Sequence, residues 1–106
     1  MKLTGKAKEQ FEKWYLKHSI RIQSNTNGIL ANIMAFYELN PMFQWGVYQD
    51  WADSLGYFIT NSWINTDVFC PDITKDGLIL WEDDFKTRQE ARNAAIEKLN
   101  EIVNEG

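Results

Sequence analysis

Apolar side chains recur at three- and four-residue spacing toward both ends of this chain and alternate in the stretch between. The first helical pattern runs from Thr4 to about Ile20, with Ala7, Phe11, Trp14, Tyr15 and His18 on one face. Lys6, Lys8, Glu9, Glu12, Lys13 and Lys17 fall mostly on the other, and Glu9 with Lys13 makes an i,i+4 pair worth about 0.2–0.5 kcal/mol. Gln23 to Gly28 reads as a loop. Ile29 to Leu39 is a second helix, interrupted at Asn40-Pro41. Asn40 is suited to cap a third helix and Pro41 to begin it, since the first helical N–H has no partner to lose. That helix is expected from Pro41 to about Leu55. Trp45, Tyr48, Trp51, Ala52 and Leu55 share one face, while Met42, Phe43 and Val47 lie on another. Two apolar faces predict a central helix covered on both sides. Gly56 supplies its C-terminal stop.

The period then changes to two. Tyr57 to Ile64, Asp67 to Thr74 and Leu78 to Asp83 read as strands. Lys75-Asp76-Gly77 reads as a hairpin turn, because Asp-Gly reaches the positive φ that such turns need. Pro71 lacks a ladder donor, which places the open side of the second strand at a sheet edge. Thr87-x-x-Glu90 is a capping box opening a last helix, whose stripe is Ala91, Ala95, Leu99, Ile102 and Val103. The expected fold is α+β in a single domain over residues 1–106: N-terminal helices, a three-stranded antiparallel meander, and a C-terminal helix packed on the sheet.

Composition sharpens this picture in one place. Between Ile22 and Thr74 there is no Lys or Arg, yet that stretch holds ten of the chain's fifteen aromatic residues. Such a segment is poorly suited to gripping phosphates and well suited to a core or an interface. The net charge of −4 is uneven: residues 1–21 carry six Lys/Arg against two Glu, and residues 22–106 carry five against thirteen acids. Opposite ends of this kind can pair within a molecule or between molecules. A single cysteine, Cys70, no signal peptide and no apolar run of membrane-spanning length lead to the expectation of a cytoplasmic protein with no membrane partner.

Candidate chemistry is sparse. Cys70 and His18 are each the sole residue of their kind, too few for a closed zinc site. Cys70 reads as an inert strand thiol, and His18, when protonated, complements the C-terminal end of the first helix. Asp50 and Asp53, at i and i+3, are the candidates for a carboxylate-only Mg²⁺ or Ca²⁺ site. The plainer reading is that they form the wet side of the third helix. Glu82 to Asp84 are either a second acidic donor set or a solvated strand exit. No cofactor is implied. The basic first helix, with Trp14 and Tyr15 among its lysines, offers a single-stranded nucleic-acid reading that the acidic chain as a whole disfavours. The composition favours a protein partner or a homodimer, bound through an apolar face of Met42, Phe43, Val47 and Trp51, over a carboxylate-dependent, metal-assisted enzyme.

Three segments carry a resemblance: Phe11-Glu12-Lys13-Trp14-Tyr15; Gln44-Trp45-Gly46-Val47-Tyr48-Gln49-Asp50-Trp51 followed by Asp53-Ser54-Leu55-Gly56; and Phe85-Lys86-Thr87-Arg88-Gln89-Glu90-Ala91-Arg92. Together they resemble a group of small uncharacterised proteins encoded by phages and prophages of gut bacteria. The chain departs from that group at Ile22–Met34, which is longer, and at Ala52, where the group tends to be aromatic. The resemblance implies a phage or prophage origin and transfers no activity.

Overall fold

Each of the three strands forms within two residues of its predicted limits. In a computed structural model, which describes residues 2–19 and 33–106, the elements are α1 (Gly5–Ser19), α2 (residues 33–38), α3 (Pro41–Ser54), β1 (Phe58–Asn65), β2 (Val68–Lys75), β3 (Leu78–Glu82) and α4 (Arg88–Glu105). The predicted loop Gln23–Gly28, the first residues of the second helix and Ile20 lie outside the described residues. The strands form an antiparallel meander in the order β1-β2-β3. Asp76 (φ 53°) and Gly77 (φ 79°) both adopt positive φ, as a two-residue type I′ hairpin turn requires.

Pro71 does not mark an edge strand. It sits in β2, the central strand, opposite Asn61 of β1. Its carbonyl accepts from the Asp83 N–H at 3.3 Å, so its ring nitrogen also faces the β3 side. The backbone there continues past Glu82 and re-pairs at Phe69–Phe85, with two N–H···O bonds of 2.8 Å. The sheet therefore tolerates the proline at an interruption of the β2–β3 ladder, where one missing donor leaves pairing on both sides intact.

One face of the sheet is covered. α4 packs chiefly on β2, α3 packs on β1, and α1 lies against α3 and α4. The α3 ends follow from local chemistry: the Asn40 side chain accepts from the Met42 N–H at 2.9 Å. Gly56 (φ 86°) completes a Schellman stop, with Tyr57 N–H donating to Ala52 C=O and Gly56 N–H to Asp53 C=O. At α4 the Thr87 hydroxyl accepts from the Glu90 N–H at 3.1 Å. The start of α1 is secured from a distance. Asn104 accepts from the Ala7 N–H (2.8 Å) and donates to Thr4 C=O (3.0 Å), while Asn100 bonds both the N–H and the hydroxyl of Thr4. Two asparagines one turn apart on α4 thus satisfy the Thr4 and Ala7 donors and fix the approach of α1.

The core is built on Phe11. Its ring lies 4.9 Å from Tyr48, 5.1 Å from Phe36 and 5.4 Å from Trp51, all fully buried. Ile59 and Ile73 enter from the sheet, and Ala91, Ala95, Ile96, Leu99 and Val103 from α4. The expectation that α3 is covered on two sides is corrected here: Trp45, Tyr48, Trp51 and Ala52 are buried, but Met42 and Phe43 are in solvent. The Glu9–Lys13 pair is not within ion-pair distance; among the described residues the ion pair formed is Lys98–Glu101, at 3.3 Å.

Candidate functional site

The largest departure from an ordinary soluble surface among the helices is the corner where α2 meets α3. Met34 (66% exposed), Leu39, Met42 (56%) and Phe43 (63%) all stand in water within ten residues of chain. Helix geometry explains the placement. At about 100° per residue, Met34 lies roughly 160° from the buried Phe36, and Met42 and Phe43 lie roughly 120–140° from the buried Tyr48. Burial of one face therefore expels these side chains to the other.

The corner is held rigidly. Gln44, buried on the inward face of α3, donates through Nε2 to the carbonyls of Phe36 and Tyr37, both at 3.1 Å. Both carbonyls lie near the end of α2, and that of Phe36 also accepts from the Leu39 N–H at 3.1 Å, so one amide ties the two helices together. Tyr37 donates to Glu12 of α1 at 3.2 Å. The Tyr37 and Tyr48 hydroxyls are held well above the ordinary phenol range, first by burial and then by the Glu12 charge, so both remain protonated donors.

The predicted apolar face is therefore half realised. Met42 and Phe43 are exposed, Val47 is half-buried against the core, and Trp51 is 1% exposed. Trp51 is corrected from interface to core: it lies on the Tyr48 side of α3, edge-on to Phe11. The sequence reading left Met34 and Leu39 out of the face and Gln44 out of the core. The helical wheel carried the signal for Met34 and Gln44, since Gln44 lies roughly 40° from the centre of the inward arc.

Other candidates do not assemble. Asp50 and Asp53 are exposed, and among the described residues no three His, Cys, Asp or Glu side chains converge to hold a metal ion. Cys70 is half-buried on the open face of the sheet, where its thiol is pushed up by burial and by Asp84, Glu82 and Asp72, and stays protonated. Thr60 donates to Asp72 across the same face at 3.0 Å. His18 bonds through Nδ1 to the Trp14 carbonyl at 2.9 Å and stacks on the Trp14 ring. The α1 lysines 6, 8, 13 and 17 are exposed, but Trp14 and Tyr15 pack against the core, so they offer no free stacking platform.

A second apolar group lies on the uncovered sheet face. Phe58 projects from β1 in a row that Thr74 and Ile79 continue, and Ile64 is exposed at the register shift between Trp63 and Asn65. Among the described residues no helix is long and apolar enough to cross a membrane. No family model, curated protein or solved structure matches this chain.

Proposed function

We propose that this chain is a small non-enzymatic accessory protein, of phage or prophage origin, that acts in the cytoplasm by binding another protein through the α2–α3 corner. The observation that carries the reading is the exposure of Met34, Met42 and Phe43 on a joint stiffened by the Asn40 cap and the Gln44 amide. Exposed apolar side chains on a rigid scaffold bind with little ordering cost. The flanking acids, Glu38 and Asp50, and the lack of any Lys or Arg from Ile22 to Thr74 favour a partner with an apolar anchor and a basic rim.

The test is affinity capture from native host cells with wild-type protein and with a Met42→Glu/Phe43→Glu double variant, alongside light scattering over a wide concentration range. The reading expects one protein held by the wild type and lost by the variant, or a dimer that the variant converts to monomer. An unchanged set of captured proteins together with an unchanged molecular mass would falsify it.

A further inference from the structure

Arg88 and Arg92 occupy electrostatically unfavourable positions. Arg88 is the first residue of α4, at the positive pole of the helix, and Arg92 follows in the second turn. They are one turn apart, a spacing at which like charges repel. Neither forms an ion pair among the described residues, in a chain where acids outnumber bases fifteen to eleven. The Nε of Arg92 is buried without an acceptor. Burial and the neighbouring Arg88 charge both lower its hold on its proton.

What keeps the two guanidinium groups in place is aromatic. Arg88 lies over the Phe69 ring at 5.3 Å, and Arg92 over the Trp45 ring at 5.9 Å. Each planar fork is thereby held on a ring face. Beside them Asn61 donates weakly to the Arg88 carbonyl (3.4 Å) while its buried Oδ1 has no donor, leaving a second unmatched polar atom at the α4–β1 seam. Places where a sequence breaks its local rules without compensation are where bound groups are expected.

We propose that Arg88 and Arg92 form a binding site for a phosphate monoester. A dianionic phosphate matches two cations and offers acceptors to two forks; it would relieve the like-charge contact and complement the helix pole at once. An organic portion of the ester has a surface to lie on, because Trp63, paired across strands with Phe69, is 65% exposed. The site is separate from the α2–α3 corner and does not depend on the protein-binding reading.

The test is an NMR titration that follows the arginine Nε–Hε signals and the tryptophan indole signals at constant ionic strength. Inorganic phosphate and phenyl phosphate are the probes, with chloride and acetate as controls. Saturable movement of the Arg92 Nε–Hε signal with the phosphates is expected, weakened about tenfold or more in Arg88→Gln, as loss of a charge-assisted contact requires. Arg88 is exposed, so this variant keeps the thermal midpoint; Arg92→Lys, which retains charge but lacks the fork, is expected to weaken binding as well. Tighter binding of phenyl phosphate with movement of the Trp63 indole identifies an organic ester, and equal binding without it identifies free phosphate. Equal shifts with chloride, equal affinity for acetate, or an unchanged titration in Arg88→Gln overturns the proposal.

Discussion

Four aromatic residues of the helices and two of β1 meet opposite fates. Phe36, Trp45, Tyr48 and Trp51 come from the same cation-free stretch as Phe58 and Trp63. The first four are buried, whereas Phe58 and Trp63 are more than 60% exposed. Neither hydrophobicity nor local charge separates the two groups. What separates them is cover. α1, α2, α3 and α4 pack around Phe11 and cover the rings that face it, while Phe58 lies on the open face of the meander and Trp63, in line with Ile59 on the other face, stands near the end of β1. A sheet with an odd face left open keeps its alternating residues but not their burial. The helical half is thus the stabilising half, and the open surfaces are where binding energy remains available.

The sharpest test of this contrast is a pair of truncations. Phe11→Ala removes the ring that contacts Tyr48, Phe36 and Trp51, and is expected to cost about 3–5 kcal/mol in urea unfolding. Phe58→Ala should stay within about 0.5 kcal/mol of wild type in the same experiment, since it is a surface change. Comparable losses from both would show that the open sheet face contributes to the fold.

A smaller effect is expected at the seam between α1 and α4. Asn104→Ala strips the Ala7 N–H of its acceptor and removes one of two donors to the Thr4 carbonyl, which keeps the Lys8 N–H, and should cost about 1–2 kcal/mol, in the range of a lost helix cap. Gly5→Ala acts on the same contact. Gly5 has φ 57°, and an added Cβ would lie 3.2 Å from Asn104 Oδ1, so the substitution combines backbone strain with displacement of the clamp. If both variants unfold at the wild-type urea midpoint, the asparagine clamp is decorative and the packing of Leu3, Ala7 and Phe11 alone seats α1.

The alkaline limb of stability reports on the same core. Tyr37 and Tyr48 keep their protons in the fold to higher pH than in the unfolded chain, where phenols ionise near pH 10. Above that value the unfolded state binds fewer protons than the native state, so stability falls as pH rises; below it these groups contribute their full effect. Urea midpoints measured from pH 9 upward should fall past about pH 10, and Tyr48→Phe should show the shallower decline, by at most about 1.4 kcal/mol per pH unit. An identical decline in the variant would assign the alkaline loss elsewhere.

The smallest stability change is expected at the corner. Phe43→Glu should alter unfolding by no more than about 0.5 kcal/mol while abolishing partner capture. A large destabilisation there would mean that Phe43 serves the fold and would remove the corner from consideration as a binding surface.

Much of this architecture was legible residue by residue. Asn40-Pro41, Gly56, Asp76-Gly77 and Thr87 act through bonds and dihedrals confined to a few neighbours, so their meaning survives outside the fold. Three readings failed for one shared reason. Pro71 was placed at an edge, Trp51 on an interface and α3 between two covers, and each depends on which element lies alongside. Pro71 is tolerated centrally because β3 ends opposite it, a condition set by Asp83, twelve positions away. The helical wheel gave the inward placement of Gln44 but not its partners, and Asn104 was silent in the sequence, since an amide has no meaning for packing until a carbonyl or N–H is brought within reach of it. Of the candidate face, Met42 and Phe43 followed from the helical period, and Val47 and Trp51 did not, because the width of a buried stripe is fixed by its neighbours.

By itself the sequence determined the elements, their caps and turns, the α+β class, and a segment rich in rings and free of cations. Those follow from periodicities of 3.6 and 2 and from short-range hydrogen bonding, which the chain encodes locally. Only the tertiary structure decided which rings are core and which are surface, where the asparagine clamp closes, and that two arginines stand together without a counter-charge. These are long-range facts, produced when the one available set of helices is enough to cover one face of the sheet and not the other.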